Sequence, residues 1–190
     1  MPVASEFIRR YPGTEVELKT SDRKVNVYEN EVDVAIRIRE LPDSGLRVRR
    51  LGALRIVVFG ARTYFERHGR PREPAELVRH RCVIRRSDPD GEKWAFRVRG
   101  KAVSYRVAGP FSTDDANAVQ EAVVHGLGLG RAPVWQIRAQ LEQGRVETVL
   151  EDFEPAKLPV FAVSPPAKLP IAKTKLFVDL LAARVKRELV

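Results

Sequence analysis

The 190-residue sequence predicts an α/β protein built as two hinged lobes. Three observations predict it. Near-continuous apolar runs of strand length lie at residues 32–38, 54–59 and 158–163, the pattern of strands covered on both faces. Helix-like segments are interleaved with the early runs in strand, helix, strand order, which suggests a parallel βαβ unit with a right-handed crossover. The early unit is separated from the last strand and helix by a middle block of different character.

In chain order, residues 3–11 read as the end of a helix, stopped by Pro12-Gly13. Glu15-Val16-Glu17-Leu18 alternates as a strand does, and Thr20-Ser21-Asp22 offers capping side chains for a short helix through Glu29. In the middle block, residues 64–68 and 73–79 read as short helices and residues 81–85 as a strand. Trp94, Phe96 and Val98, then Val103, Tyr105 and Val107, alternate with polar residues around Gly100-Lys101, which predicts an antiparallel hairpin with one apolar face. Ser112-Thr113-Asp114-Asp115 precedes a helix whose apolar face is Ala118, Val119, Ala122 and Val123; Thr113 or Asp114 can cap it, and Gly126 can end it. A strand over 127–132, a helix over 133–142 and a strand over 145–150 follow. Leu176, Phe177, Leu180, Leu181, Val185 and Leu189 mark a final amphipathic helix.

If the strand over 158–163 joins the early sheet, the chain crosses between lobes twice. The expected crossings lie near Phe59-Gly60-Ala61 and at residues 152–157. Residues 1–60 plus 154–190 then make lobe I, residues 61–153 make lobe II, and no segment is left for a DNA-binding domain. Two crossings form a hinge, and a hinged pair of lobes offers a cleft for a small ligand.

Composition narrows the function. Hydrophobic residues make up 44% and charged residues 31%, ordinary for a globular protein. No run of about 18 uncharged apolar residues exists, so no helix of that type spans a membrane, and the first residues do not read as a secretory signal. One cysteine, Cys82, excludes an internal disulfide and fits a reducing cytoplasm. His68, His80 and His125 are scattered and make no zinc-ligand spacing. The formal charge of +9 attracts nucleic acid non-specifically, but the arginines occur in nearly every segment rather than on one face.

The chemical motifs favour binding over catalysis. Gly126-Leu127-Gly128-Leu129-Gly130 has the wrong context for a dinucleotide loop, since it follows a helix and opens a strand. Close backbone packing explains it better. Asp114-Asp115 offers paired carboxylates for acid–base work, but a helix cap explains them more cheaply. Arg37 ends an apolar strand and can grip a carboxylate through a bidentate pair. Thr20 and Ser21 lie at the mouth of the preceding strand, where hydroxyls and helix N–H groups suit an anion. No constellation marks a catalytic, metal or cofactor site. A solute-binding protein and a basic nucleic-acid-binding module are the alternatives to a sensing domain.

An ordered set of stretches carries a resemblance. It comprises Phe7-Ile8-Arg9-Arg10-Tyr11-Pro12, Val16-Glu17-Leu18, Ser21-Asp22-Arg23 and Val32-Asp33-Val34-Ala35-Ile36-Arg37-Ile38. It continues through Leu51-Gly52, Tyr64-Phe65-Glu66-Arg67-His68-Gly69, Glu76-Leu77-Val78-Arg79-His80-Arg81-Cys82, Trp94-Ala95-Phe96, residues 114–128 and Gly144-Arg145-Val146-Glu147-Thr148-Val149-Leu150. Together they resemble the effector-binding domain of LysR-type transcriptional regulators over nearly the whole chain. The resemblance implies a type 2 periplasmic-binding-protein fold, a small metabolite in the cleft, and a dimer that transmits binding to DNA-binding heads. By position, lobe I contributes Thr20, Ser21 and Arg37 to the ligand site. Lobe II contributes Ser112, Thr113 and Asp114, with the Gly128 backbone nearby. A small organic anion is the expected effector, and DNA is reached only through an N-terminal helix-turn-helix that this chain lacks. Against the family pattern the opening strand of lobe I is also missing.

Overall fold

The computed structural model describes residues 2–20, 32–38, 45–88, 91–165 and 172–188. Two compact units divide the chain: one holds Met1–Leu54 with Leu158–Val190, the other Arg55–Lys157.

The discontinuous unit is built on three strands. β1 (Ala35–Ile38) and β2 (Arg47–Leu54) both run antiparallel to β10 (Leu158–Ser164), which lies between them. The last strand therefore returns to the opening sheet. Helix α1 (Pro2–Arg10) packs against α5 (Ala172–Glu188) through Phe7, whose ring meets Phe177 edge to face at 5.2 Å. Asp179 on α5 takes the Arg49 guanidinium of β2. Two expectations change here. Residues 15–18 form no strand, and Leu18 is 63% exposed. The parallel unit expected of the early apolar runs is also not formed: the run over 32–38 supplies β1, antiparallel to β10, and the run over 54–59 passes into the other unit at Arg55. The helix expected to end at Glu29 lies outside the described residues.

The continuous unit is organised around β3 (Ile56–Ala61), paired antiparallel with both β8 (Gly130–Pro133) and β9 (Val146–Val149). Both faces of β3 are covered, which is why its sequence is apolar throughout. Val57 and Phe59 pack with Val119, Ala122 and Val123 of α3 (Ala116–Val124). Val58, on the other face, joins Phe65 of α2 (Arg62–His68), Leu77, Trp94 and Phe96. Complete burial of each large side chain is worth about 1.5–3 kcal/mol. β5 (Lys93–Val98) and β6 (Lys101–Arg106) make the expected hairpin, with Trp94 opposite Tyr105 and Phe96 opposite Val103. The helix expected over 133–142 is broken into a 3-10 turn at Val134–Gln136 and α4 (Arg138–Glu142).

The boundary between the units differs from the expected one at residue 60. Leu54 still pairs with Leu158 of β10, whereas Ile56 already pairs with Pro133 of β8. The chain changes partners across Arg55. On the return side, residues 154–157 stay with the continuous unit. Arg55 explains both shifts: its Nε and Nη2 donate to Glu154 at 2.7 and 2.8 Å, a two-pronged charge-assisted contact.

Candidate functional site

The sequence-predicted site residues of the continuous unit lie on or beside a short parallel set. β4 (Ile84–Arg85) pairs parallel with β7 (Ser112–Thr113), and Cys82 bridges Leu129 in the same sense. The ladder is carried by backbone bonds on both sides. Cys82 N–H donates to Ala108 O, Ile84 N–H to Phe111 O and Arg86 N–H to Thr113 O; Val83 N–H donates to Leu129 O. Ligands of open α/β sheets bind beyond the carboxyl ends of such strands.

Ser112, Thr113 and Asp114 occupy that carboxyl end, followed at once by the start of α3. Ser112 and Asp114 are exposed and Thr113 is half-buried. Thr113 Oγ1 accepts from Asp115 N–H at 3.1 Å, and Asp114 O accepts from Ser87 Oγ at 2.8 Å. The cap of α3 is neither Thr113 nor Asp114. Asp115 provides it, its Oδ1 accepting from Ala118 N–H at 2.7 Å. That leaves the Asp114 carboxylate available at the strand mouth.

Gly128 is not brought to this end. It stands beside Arg81, at the amino end of the set, and about 3.3 Å per residue puts some 16 Å between Arg81 and Arg86. A Cβ at Gly128 would lie 2.4 Å from the Arg81 carbonyl oxygen. The glycine serves close packing of two strands, and its backbone is no neighbour of Thr113. Three residues on, β8 presents Arg131 as its second residue, which sequence reasoning missed. Its Nη2 donates to Asp88 Oδ2 at 2.7 Å, and its guanidinium lies 6.0 Å from the Trp94 ring centroid. With side chains only 10% and 25% exposed, Arg131 and Asp88 are a partly desolvated pair. Alternation within a four-residue strand gave no signal for either. Ser87, also missed, lies two residues beyond the end of β4.

In the discontinuous unit, Arg37 is half-buried on β1 opposite Phe161 of β10. Thr20 is exposed and belongs to no strand or helix. Ser21 lies outside the described residues.

Cys82 and His80 do not make a reactive pair. Cys82 is buried, and burial pushes its thiol up to about 12, so the thiolate is suppressed. His80 instead meets the Tyr64 hydroxyl at 3.3 Å, and that oxygen accepts from Arg81 N–H at 3.0 Å. Burial, then the neighbouring His68, hold the His80 imidazole below its usual value. Among the described residues, no group of three or more His, Cys, Asp or Glu side chains is placed to hold a metal ion. No helix among them is long and apolar enough to cross a membrane.

Comparison with known proteins decides the family. The family model of the LysR substrate binding domain matches residues 1–186. The chain belongs to the LysR substrate-binding domain family. Its similarity extends to YcaN of Escherichia coli, an uncharacterized HTH-type transcriptional regulator, at 34% identity over 148 residues, 77% of this chain and 48% of that protein. It is 29% identical to the transcriptional activator AaeR of Escherichia coli over 161 residues, 85% of this chain and 52% of that one. This LysR domain thus spans about half the length of these curated relatives. The regulatory domain of CrgA, a LysR-type regulator from Neisseria meningitidis, has the same two-lobe α/β fold. It superposes with a TM-score of 0.86 at 26% identity, covering 97% of this chain and 90% of that one. The relatives of this LysR domain are transcriptional regulators, not enzymes.

Proposed function

We propose that this LysR domain senses a small organic anion held between its two lobes, and that it passes binding on through self-association in the cytoplasm. The observation that carries the reading is the carboxyl end of the β4–β7 pair. Exposed Ser112, the Thr113 and Ser87 hydroxyls and the first turn of α3 converge there, in a family of regulators. Hydroxyls and a helix start favour a negatively charged group. Arg37, half-buried on β1, supplies a fork suited to a carboxylate, and Thr20 and Ser21 complete the lobe I contribution. The attached DNA-binding function of the relatives, and the dimer, belong to this proposal.

A thermal-shift screen of small mono- and dicarboxylates tests it. A ligand present at 100 times its Kd stabilises by about 2.7 kcal/mol, a rise of several degrees in Tm. Arg37→Ala and Thr113→Ala are expected to abolish the rise while leaving the unliganded Tm within about two degrees. A ligand whose effect survives both substitutions would place the site elsewhere.

A further inference from the structure

We infer that the outward face of the β5–β6 hairpin is a contact plate for the phosphate backbone of duplex DNA, separate from the sensing site. Residues 93–106 hold five cations, Lys93, Arg97, Arg99, Lys101 and Arg106, and no carboxylate. The register sorts them. Trp94 and Phe96 point into the core, so Lys93, Ala95 and Arg97 face outward, with Ala102, Ser104 and Arg106 opposite them. Lys93 stands directly opposite Arg106, a like-charge pair that weakens a hairpin rather than supporting it. Arg99 continues the row into the turn, where its backbone adopts φ +50°. Lys93, Arg97, Arg99 and Lys101 make no ion pair among the described residues. Glu92, the adjacent carboxylate, is taken by Arg86 and Arg106, and Arg106 remains 79% exposed.

The centre of the plate is small: Ala95, Ala102 and Ser104 leave nothing to hold a bulky rod away. Its back is fixed by buried Trp94 and Phe96, so the charges are presented on a rigid base. At about 3.3 Å per residue, Lys93, Arg97 and Arg99 spread over roughly 20 Å. That span suits an extended row of phosphates better than one small anion. Duplex DNA is the polyanion chosen because the relatives are HTH-type transcriptional regulators, and a domain tethered beside bound DNA meets it at high effective concentration. The side chains face a flat surface, so the contact positions and does not read bases.

Fluorescence anisotropy of the full 190-residue chain with a labelled 30-base-pair duplex, from about 20 to 200 mM NaCl, tests the proposal. Each lost phosphate contact lowers the slope of log K against log salt by about 0.9. Lys93→Gln/Arg97→Gln/Arg106→Gln is therefore expected to lower it by two to three and to weaken low-salt binding by about tenfold or more. Arg9→Gln/Arg10→Gln/Arg145→Gln removes the same charge elsewhere and is expected to change affinity by less than about threefold. Ser104→Glu, which sets a carboxylate at the plate's centre, should weaken binding as the triple does, and it covers the case in which the triple fails to fold by circular dichroism. Equal losses in both triples, or no binding by the native chain at low salt, would overturn the inference. So would tighter binding to phosphatidylserine vesicles than to duplex, lost in the hairpin variants.

Discussion

Gly109 and Gly128 flank the Arg81-Cys82 segment that leads into β4. A Cβ at Gly109 would fall 1.9 Å from the Cys82 carbonyl oxygen, and one at Gly128 2.4 Å from that of Arg81. Neither obstacle is a flexible side chain, so backbone must move. Gly128→Ala is expected to cost about 1–3 kcal/mol, read as a lowered midpoint in urea unfolding. An unchanged midpoint would show that the strands can part without loss. The two adjacent aspartates divide their work in a way that their sequence did not reveal. Asp115→Ala removes the α3 cap and should cost about 1 kcal/mol, whereas Asp114→Ala should leave the midpoint within about 0.5 kcal/mol. In ligand titration the order reverses: Asp114→Ala changes affinity, and Asp115→Ala changes it less.

Between elements, the contact of α2 with the segment after Arg79 depends on a neutral imidazole. The Tyr64 hydroxyl already accepts from Arg81 N–H, so its proton is free to reach an unprotonated His80 Nδ1. Burial, the largest cause, and then His68 lower the His80 value, while Glu76 raises it. A histidine whose folded value is depressed contributes stability that is complete above its unfolded value of about 6.5. That stability is lost as pH falls through the folded value. The native Tm is therefore expected to drop more steeply on acidification below about 6.5 than that of His80→Asn, measured by scanning fluorimetry. Parallel profiles would remove His80 from the account. The same scale shows what the sequence makes legible. The hairpin over 93–106 was readable because its alternation and its central Gly100 agree, although the turn itself is Arg99-Gly100 and Lys101 already opens β6. Residues 15–18 alternate just as well, yet alternation specifies a face and not a partner strand. The continuous apolar run over 54–59 concealed a change of sheet at Arg55, since two strands buried end to end look like one. Arg131 and Asp88 are 43 residues apart, and nothing local in either segment announces their pairing.

Across the whole molecule, the continuous unit begins and ends at one place. Arg55 and Glu154 stand near its first and last residues, and their fork holds the two chain ends together. Both of its hydrophobic clusters are internal to it. A fragment of residues 55–157 is therefore expected to fold alone, with dispersed amide signals in a nitrogen–proton correlation spectrum. Arg55→Ala in that fragment should lower its Tm by a degree or two, because the pair is only partly shielded from water. A collapsed, unfolded spectrum for the fragment would show that it borrows stability from the rest of the chain.

Leu54 and Leu158 are direct partners in the β2–β10 ladder. Remove everything between them and what remains is two antiparallel strands whose ends already face one another, a gap that an Asn-Gly turn can close. Seen this way, the protein is a hairpin that carries a 103-residue body in place of its turn. Such a body is a cassette: residues 55–157 from one family member should be exchangeable for those of another at a fixed pair of joints, without redesign of the sheet that receives them.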